Sequence, residues 1–315
     1  MTKTIIHHHN HDGIDRRGFL ECMAWAGTGV VWSVAGGVLN SRALGQKLPA
    51  GDFRFVQISD SHIGFNRAAN PDVNVTLQAA VDRINALPDP PEFILHTGDL
   101  THSSKPGEYD SMDQILGGLK QKQVFFVPGE HDTPDSGKQY LERYGKETKG
   151  QGWYSFDLKG VHFVGLVNVI ALQGMGKLGQ EQIEWLKADL EGLSSSTPVV
   201  VFAHIPLWTV YPDWGWGTRD SAEALNYLKR FGSVTVLNGH IHQVMQKVEG
   251  NITFHSAMST AFPQPGPGSG PSPGPMTVPA EKLRSMLGIS QVRYVVGNHG
   301  LAVVDSTLED RQVDR

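Results

Sequence analysis

Short apolar runs recur along this chain, and several stretches between them carry apolar residues every three or four positions. The runs at 53–59, 92–97, 123–127, 161–167, 199–203 and 234–237 predict strands. Within 73–87, Val73, Leu77, Ala80, Val81, Ile84 and Leu87 fall on one helical face. Ile183, Leu186 and Leu190 do the same in 180–190, with Trp185 beside them, and 109–119 and 221–231 look similar. Strand and helix alternate, which predicts an α/β core with substantial parallel pairing. The runs 154–158 and 161–167 flank Lys159-Gly160 and read as a β-hairpin.

Past Thr260 the pattern breaks. The Pro/Gly-rich run 262–275 can form neither a helix nor a central strand, and predicts a long exposed loop, a lid or an inert surface segment. Structure resumes with a short helix at 280–287 and strand-like 291–296 and 301–305. Two strands are too few for a domain of their own, so they are expected to complete a sheet of the main domain. The Pro/Gly stretch, about 262–279, is then an insertion.

The N-terminus reads as an address. Asp15-Arg16-Arg17-Gly18-Phe19-Leu20 resembles the twin-arginine export motif; no charge follows from Cys22 to Leu39, and Ser41-Arg42-Ala43-Leu44-Gly45 offers small residues for cleavage. Residues 1–46 are expected to be a signal region and 47–315 the mature domain, exported by the twin-arginine machinery to a bacterial periplasm or beyond. An uncleaved membrane anchor is the alternative, but glycines dilute the apolar stretch and no permanent anchor is expected. Cys22 is the only cysteine, so the mature chain has no disulfide and no thiolate ligand. His7, His8, His9 and His11 precede the signal and would leave with it.

A net charge of −5 with no basic stripe argues against a nucleic-acid binder. It does not exclude a phosphorylated substrate, because bound metals supply local positive charge. Candidate donors sit where strands end: Asp60-Ser61-His62, Gly98-Asp99, Gly129-Glu130-His131-Asp132, Ala203-His204 and Gly239-His240-Ile241-His242. Asp, Glu and His are the oxygen and nitrogen donors for divalent metals. Sites in α/β sheets form beyond the carboxyl ends of strands, so the five segments can converge. The adjacent glycines are expected to permit tight turns at the metals. Singly, Asp60 or Asp99 could be a helix cap, His204 a packed core histidine, and His242 part of a solvated face.

Taken together, the five segments resemble the calcineurin-like metallophosphoesterase superfamily, over roughly 53–242. The resemblance implies a four-layer α/β/β/α sandwich of two mixed sheets with flanking helices. It implies two divalent or trivalent ions (Mn, Fe or Zn) and hydrolysis of a small phosphate ester by a metal-bridging hydroxide. By position, Asp60, His62 and His242 would hold the first metal, Asp99 would bridge, and His204, His240 and Glu130 would hold the second. His131 would assist the leaving group and Asp132 would orient it. Glu130 stands where the family usually has Asn, adding a negative charge.

Other residues bear on the substrate. His102 lines a pocket or a surface turn, while His96, His162, His255 and His299 read as structural. Trp208, Tyr211, Trp214 and Trp216, with Arg219 nearby, either bind substrate or pack on one another. The reading is an exported phosphodiesterase; the alternatives are a phosphomonoesterase on the same site, or a non-catalytic metal-binding protein because of Glu130.

Overall fold

A computed structural model describes residues 30–35, 38–43, 51–170, 172, 174–297 and 300–309. The chain divides into two compact units, 1–48 and 49–315. In the first, strands β1 (Val30–Ala35) and β2 (Val38–Ala43) pair antiparallel, Val30 opposite Ala43. Strand pairing thus occupies part of the uncharged stretch. The arginine pair at 16–17 and Cys22 lie outside the described residues. Among those described, no helix is long and apolar enough to cross a membrane.

The second unit contains two sheets. One has five strands in the order β13-β12-β3-β4-β5: β3 (Phe53–Ile58), β4 (Ile94–His96) and β5 (Val124–Phe126) run parallel, while β12 (Gly288–Tyr294) and β13 (Ala302–Thr307) close one edge antiparallel. The other has six in the order β10-β11-β9-β8-β7-β6. Its parallel centre is β7 (Val161–Gly165), β8 (Val199–Phe202), β9 (Val234–Asn238) and β11 (Ile252–Ser256), edged antiparallel by β6 (Tyr154–Leu158) and β10 (Gln246–Glu249). The last two strands complete a sheet, as the sequence predicts. The pair β10 and β11 and helix α3 (Lys138–Tyr144) are elements the hydrophobic pattern did not reveal. Every residue of β10 is exposed, so it carries no apolar signature.

Helices α1 (Val73–Asn85) and α2 (Pro106–Leu116) cover the five-stranded sheet; α4 (Gln180–Glu191) and α5 (Ser221–Leu228) cover the six-stranded one. Strand alternation decides this layering. Val56 and Ile58 point to the first helical layer with Leu77, Ala80 and Met112, whereas Phe53 and Phe55 point between the sheets. Val199 and Val201 meet Ile183, Leu186 and Leu228, while Val200 and Phe202 turn toward Phe55 and Phe163. Three apolar layers therefore separate four layers of secondary structure, a sandwich of two mixed sheets with flanking helices. Asp72 caps α1 through Oδ1, which accepts the N–H of Asn74 at 3.1 Å and of Val75 at 3.4 Å. Lys159 and Gly160 both take positive φ, 48° and 82°, the geometry of a tight hairpin turn between β6 and β7.

The Pro/Gly stretch differs from its expected exposed path. Ala261, Phe262 and Pro263 are buried before the chain emerges. The N–H of Met276 donates to the Pro263 carbonyl at 2.9 Å, closing the segment into a strap pinned at both ends. Short helix α6 (Ala280–Met286) follows.

Candidate metal centre

Asp60, Asp99, Glu130, His204 and His240 stand two to four residues past the ends of β3, β4, β5, β8 and β9. The loops after β3 and β4 continue to pair beyond the strands. Asp60 N–H donates to the Gly98 carbonyl at 3.0 Å and His62 N–H to that of Asp99 at 2.9 Å. The two sheets meet here, because the His240 N–H donates to Asp60 Oδ1 at 3.0 Å and the His204 Nδ1 lies 2.7 Å from the Thr97 carbonyl.

Backbone strain concentrates at the same place. Asp60, His62, Asp99, His240 and His242 have φ of 54°, 43°, 52°, 69° and 51°. Such left-handed geometry costs about 1–3 kcal/mol per non-glycine residue and persists only where surrounding contacts impose it. Of the three glycines expected to make turns, only Gly98 has positive φ, at 94°. Gly129 and Gly239 are needed for space instead: a Cβ on Gly129 would strike Asp99, and one on Gly239 would strike Ser59 and Asp60.

The donors gather into two groups. Asp60, His62 and His242 form one, and Glu130, His204 and His240 the other; within each, ligating atoms lie within 4.8 Å of one another. Asp99 stands between them, its Oδ2 3.4 Å from both His62 Nε2 and His204 Nε2. Glu130 reaches across two imidazoles, Oε2 2.9 Å from His204 Nε2 and Oε1 3.0 Å from His240 Nδ1. Yet Glu130 Oε2, His204 Nε2 and His240 Nε2 are buried without an aligned hydrogen bond. Close, unaligned and desolvated lone-pair atoms fit a cation between them better than they fit each other. Backbone carbonyls orient the imidazoles from behind: Thr97 holds His204 Nδ1, and Phe262 holds His242 Nδ1 at 2.6 Å, turning each Nε2 inward.

Electrostatics point the same way. Burial works against the Asp60 carboxylate, but His242 and His204 outweigh it and bring its pKa to about 2. Burial also opposes the Glu130 charge, which His240 and His204 hold well below the usual range. His62 is pushed well below its ordinary value by burial and by His131 and His242. His131 moves the other way: burial opposes its charge, but Asp99 and Glu130 raise its pKa.

His131 has a ring Nδ1 2.8 Å from the His102 carbonyl and an N–H that donates to Asp99 Oδ1 at 3.0 Å. Asp132, expected to orient it, does something else. Its Oδ1 accepts the Thr101 N–H and hydroxyl, both at 2.9 Å, and its Oδ2 accepts the N–H of Leu100 at 3.0 Å and of Gly129 at 2.9 Å. Asp132 therefore clamps the loop after β4 to the loop after β5, because four donors already occupy its oxygens. Burial and the Asp99 charge raise its pKa to about 6.

A cavity of about 320 Å³ opens over the donors, lined by His62, Asp99, Glu130, His131 and His240 on its floor. Of the substrate candidates, His102, Trp214 and Trp216 line it. Trp208 packs on Phe254, Tyr211 stands against Trp214, and Arg219 is exposed, none of them at the cavity wall. The loop is thus divided between packing and lining. Phe65, Arg67, Phe262, Gln264, Pro273 and Pro275, which sequence reasoning did not single out as site residues, also line the cavity. Phe262 lies against His62 and His242, ring centroids 4.7 and 4.8 Å away. Their only signal was proximity, to the Asp60-x-His62 segment or to the start of the Pro/Gly stretch.

Comparison with known proteins places the chain in a family. The serine/threonine-protein phosphatase CPPED1 of Danio rerio is 29% identical over 233 residues, 63% of this chain and 72% of its own length. The 3′,5′-cyclic-nucleotide phosphodiesterase alr5338 of Nostoc sp. is 25% identical over 225 residues, 70% of this chain and 81% of its own. A dimetal phosphatase from Danio rerio superposes with a TM-score of 0.54 at 14% identity, covering 82% of this chain and 99% of that one, a likeness of fold. The calcineurin-like phosphoesterase pattern matches residues 53–244, which takes in every candidate ligand. The chain belongs to the calcineurin-like phosphoesterase family and is a metal-dependent phosphoesterase.

Proposed function

We propose that this protein is a dinuclear-metal phosphodiesterase. Asp60, His62 and His242 would hold one ion, Glu130, His204 and His240 the other, and Asp99 would bridge them. The observation that carries this reading is the pair of donor groups joined by Asp99 at the floor of a cavity with aromatic walls. When bound, two cations neutralise phosphoryl charge and lower the pKa of water, which is the chemistry that ester hydrolysis needs.

The chain's own residues supply the rest. His131 faces the cavity, and the neighbouring Asp99 and Glu130 carboxylates favour its protonated form. Its ring is steadied by the His102 carbonyl, so it is placed to give a proton to the departing alkoxide. Phe65, Phe262, Trp214 and Trp216 offer an apolar wall for an ester arm and exclude water from it. An arm of either ester class could lie on that wall, and the diester is favoured by the cyclic-nucleotide phosphodiesterase relative. The phosphatase relative keeps a phosphomonoesterase as the second reading.

Export through the twin-arginine route, with residues 1–46 as signal and 47–315 as the catalytic domain, rests on the residues themselves: Arg16-Arg17 followed by Phe19-Leu20 and an uncharged stretch. Cell fractionation of the full chain and of an Arg16→Lys, Arg17→Lys variant tests it, with retention of the variant in the cytoplasm as the expected result.

The test of activity is elemental analysis of the purified protein together with hydrolysis of aryl phosphate diesters and monoesters, for wild type and His131→Ala. Two ions per chain, preference for diesters, and a turnover loss of roughly 100-fold or more in the variant are expected. A monoester preference would turn the reading to phosphatase.

A further inference from the structure

The loop from Phe65 to Asp72 and the Pro/Gly strap meet over the candidate metal centre, and each contributes one polar side chain to the cavity. Among the described residues, Arg67 is the only lysine or arginine lining it. Among the described residues, no carboxylate pairs with Arg67. Its loop is not loose. The Asn70 N–H donates to the Arg67 carbonyl at 3.0 Å, and Asn70 Nδ2 donates to the Ala261 carbonyl at 2.6 Å and to Thr76 Oγ1 at 3.0 Å. Phe65 fixes the other side, its ring 4.4 Å from that of Phe262. Arg67 is exposed on this anchored loop at the cavity mouth, so its solvated guanidinium can turn toward an anionic ligand there.

Gln264 presents a second unmet group. Its side-chain Oε1 is buried and accepts no hydrogen bond, although the residue lines the cavity. The backbone around it is held, because Gln243 Nε2 donates to the Pro265 carbonyl at 2.8 Å. A buried amide oxygen without a donor is destabilising until something donates to it.

Charge explains why the site needs Arg67. Asp60, Asp99 and Glu130 place three carboxylates around the donors, and Glu130 adds one where a neutral ligand would serve. The centre is correspondingly less attractive to an anionic phosphoryl group, and a guanidinium at the mouth restores the attraction.

We propose that Arg67 and Gln264 form the substrate-reading edge of this site: Arg67 grips a non-bridging phosphoryl oxygen, and Gln264 accepts a hydrogen bond from the ester arm lying against Phe65, Phe262, Trp214 and Trp216. The substrate class is a phosphodiester with one flat or apolar arm that carries an N–H or O–H donor. This deepens the phosphodiesterase reading and rests on it for the ester arm, but the grip on phosphate stands independently.

The experiment separates the two. Orthophosphate binding to the metal-loaded protein is measured by calorimetry for wild type, Arg67→Ala and Arg67→Lys, with metal content checked in each. Arg67→Ala is expected to weaken phosphate about 10- to 100-fold at unchanged metal content, and Arg67→Lys to recover part of it. With a diester substrate, the same change should raise KM more than it lowers kcat. Gln264→Leu should raise KM for a diester whose arm bears a donor and leave that of a donor-free aryl diester within about twofold. Equal phosphate affinity in wild type and Arg67→Ala would overturn the role of Arg67, and an equal KM effect on both diesters would overturn that of Gln264. If the protein binds phosphate in this Arg67-dependent way but cleaves no diester, the phosphodiesterase reading fails while the anion grip remains.

Discussion

The backbone N–H of His131 donates to Asp99 Oδ1 at 3.0 Å, which leaves Asp99 Oδ2 alone to face His62 and His204. One carboxylate thereby fixes the position of the proposed proton donor and the separation of the two donor groups. Moving Asp99 would disturb the proposed proton donor and metal positions together, and the predictions below turn on such shared supports.

Glu130→Gln keeps the length of the side chain and one oxygen donor but removes the charge between His204 and His240. The second ion should be lost first, with affinity lowered roughly 10- to 100-fold, by analogy with other perturbations of metal sites. Competition with a calibrated chelator, read by elemental analysis, would reveal it. Unchanged stoichiometry and affinity would mean Glu130 is not a ligand.

Asp132→Asn would turn one acceptor oxygen into an amide donor facing the N–H groups that Asp132 now satisfies. A buried donor left without a partner costs about 1–3 kcal/mol, so thermal unfolding should occur several degrees lower. Because the side chain binds loops rather than the His131 ring, the lost stability should accompany any rate loss. A large rate loss at wild-type stability would instead restore a direct role beside His131.

Gly239→Ala would push a methyl group into Ser59 and Asp60. Overpacking of this kind costs about 1–3 kcal/mol, and here it would also displace a candidate ligand of the first ion. Reduced metal content together with reduced stability is the expected result, by elemental analysis and calorimetry. A variant that binds two ions normally would show that this loop yields more easily than the packing implies.

His162 supplies a pH dependence unrelated to the metals. It lies on β7 with Nδ1 2.9 Å from Asp157 Oδ1 and Nε2 2.9 Å from Asp189 Oδ2. Burial opposes its charge, but Asp189 and Asp157 outweigh it and raise the folded-state pKa above 6.5. The folded state then holds the proton more tightly than the unfolded one. The contribution is full below pH 6.5 and is lost as pH rises through the folded value. Urea unfolding of His162→Gln across that window should be flatter with pH than that of wild type; identical profiles would remove the linkage.

Much of this was legible along the chain. The unbroken apolar run Val199, Val200, Val201 and Phe202 carried the two-faced burial of β8, and spacing in Val73, Leu77, Ala80 and Ile84 carried α1. Strand β10 was hidden because it is an edge whose side chains all meet solvent. The aromatic loop was legible as a cluster but not as a division of labour, since Trp208 differs from Trp216 only in what distant residue it meets. Asp132 misled for the same reason: its neighbour in sequence is His131, but its oxygens are taken by Thr101, Leu100 and Gly129.

The sequence by itself determined which donors exist, their order, and their place at strand ends, because these follow from residue chemistry and local periodicity. Only the tertiary structure decided how they combine. Asp60 meets the backbone of His240 across 180 residues of sequence, and His242 takes its orientation from the carbonyl of Phe262. Such contacts depend on how two sheets pack, and no local pattern encodes the distance between separate sheets. For the same reason Arg67 and Gln264 became visible only once two loops from different parts of the chain closed over one cavity.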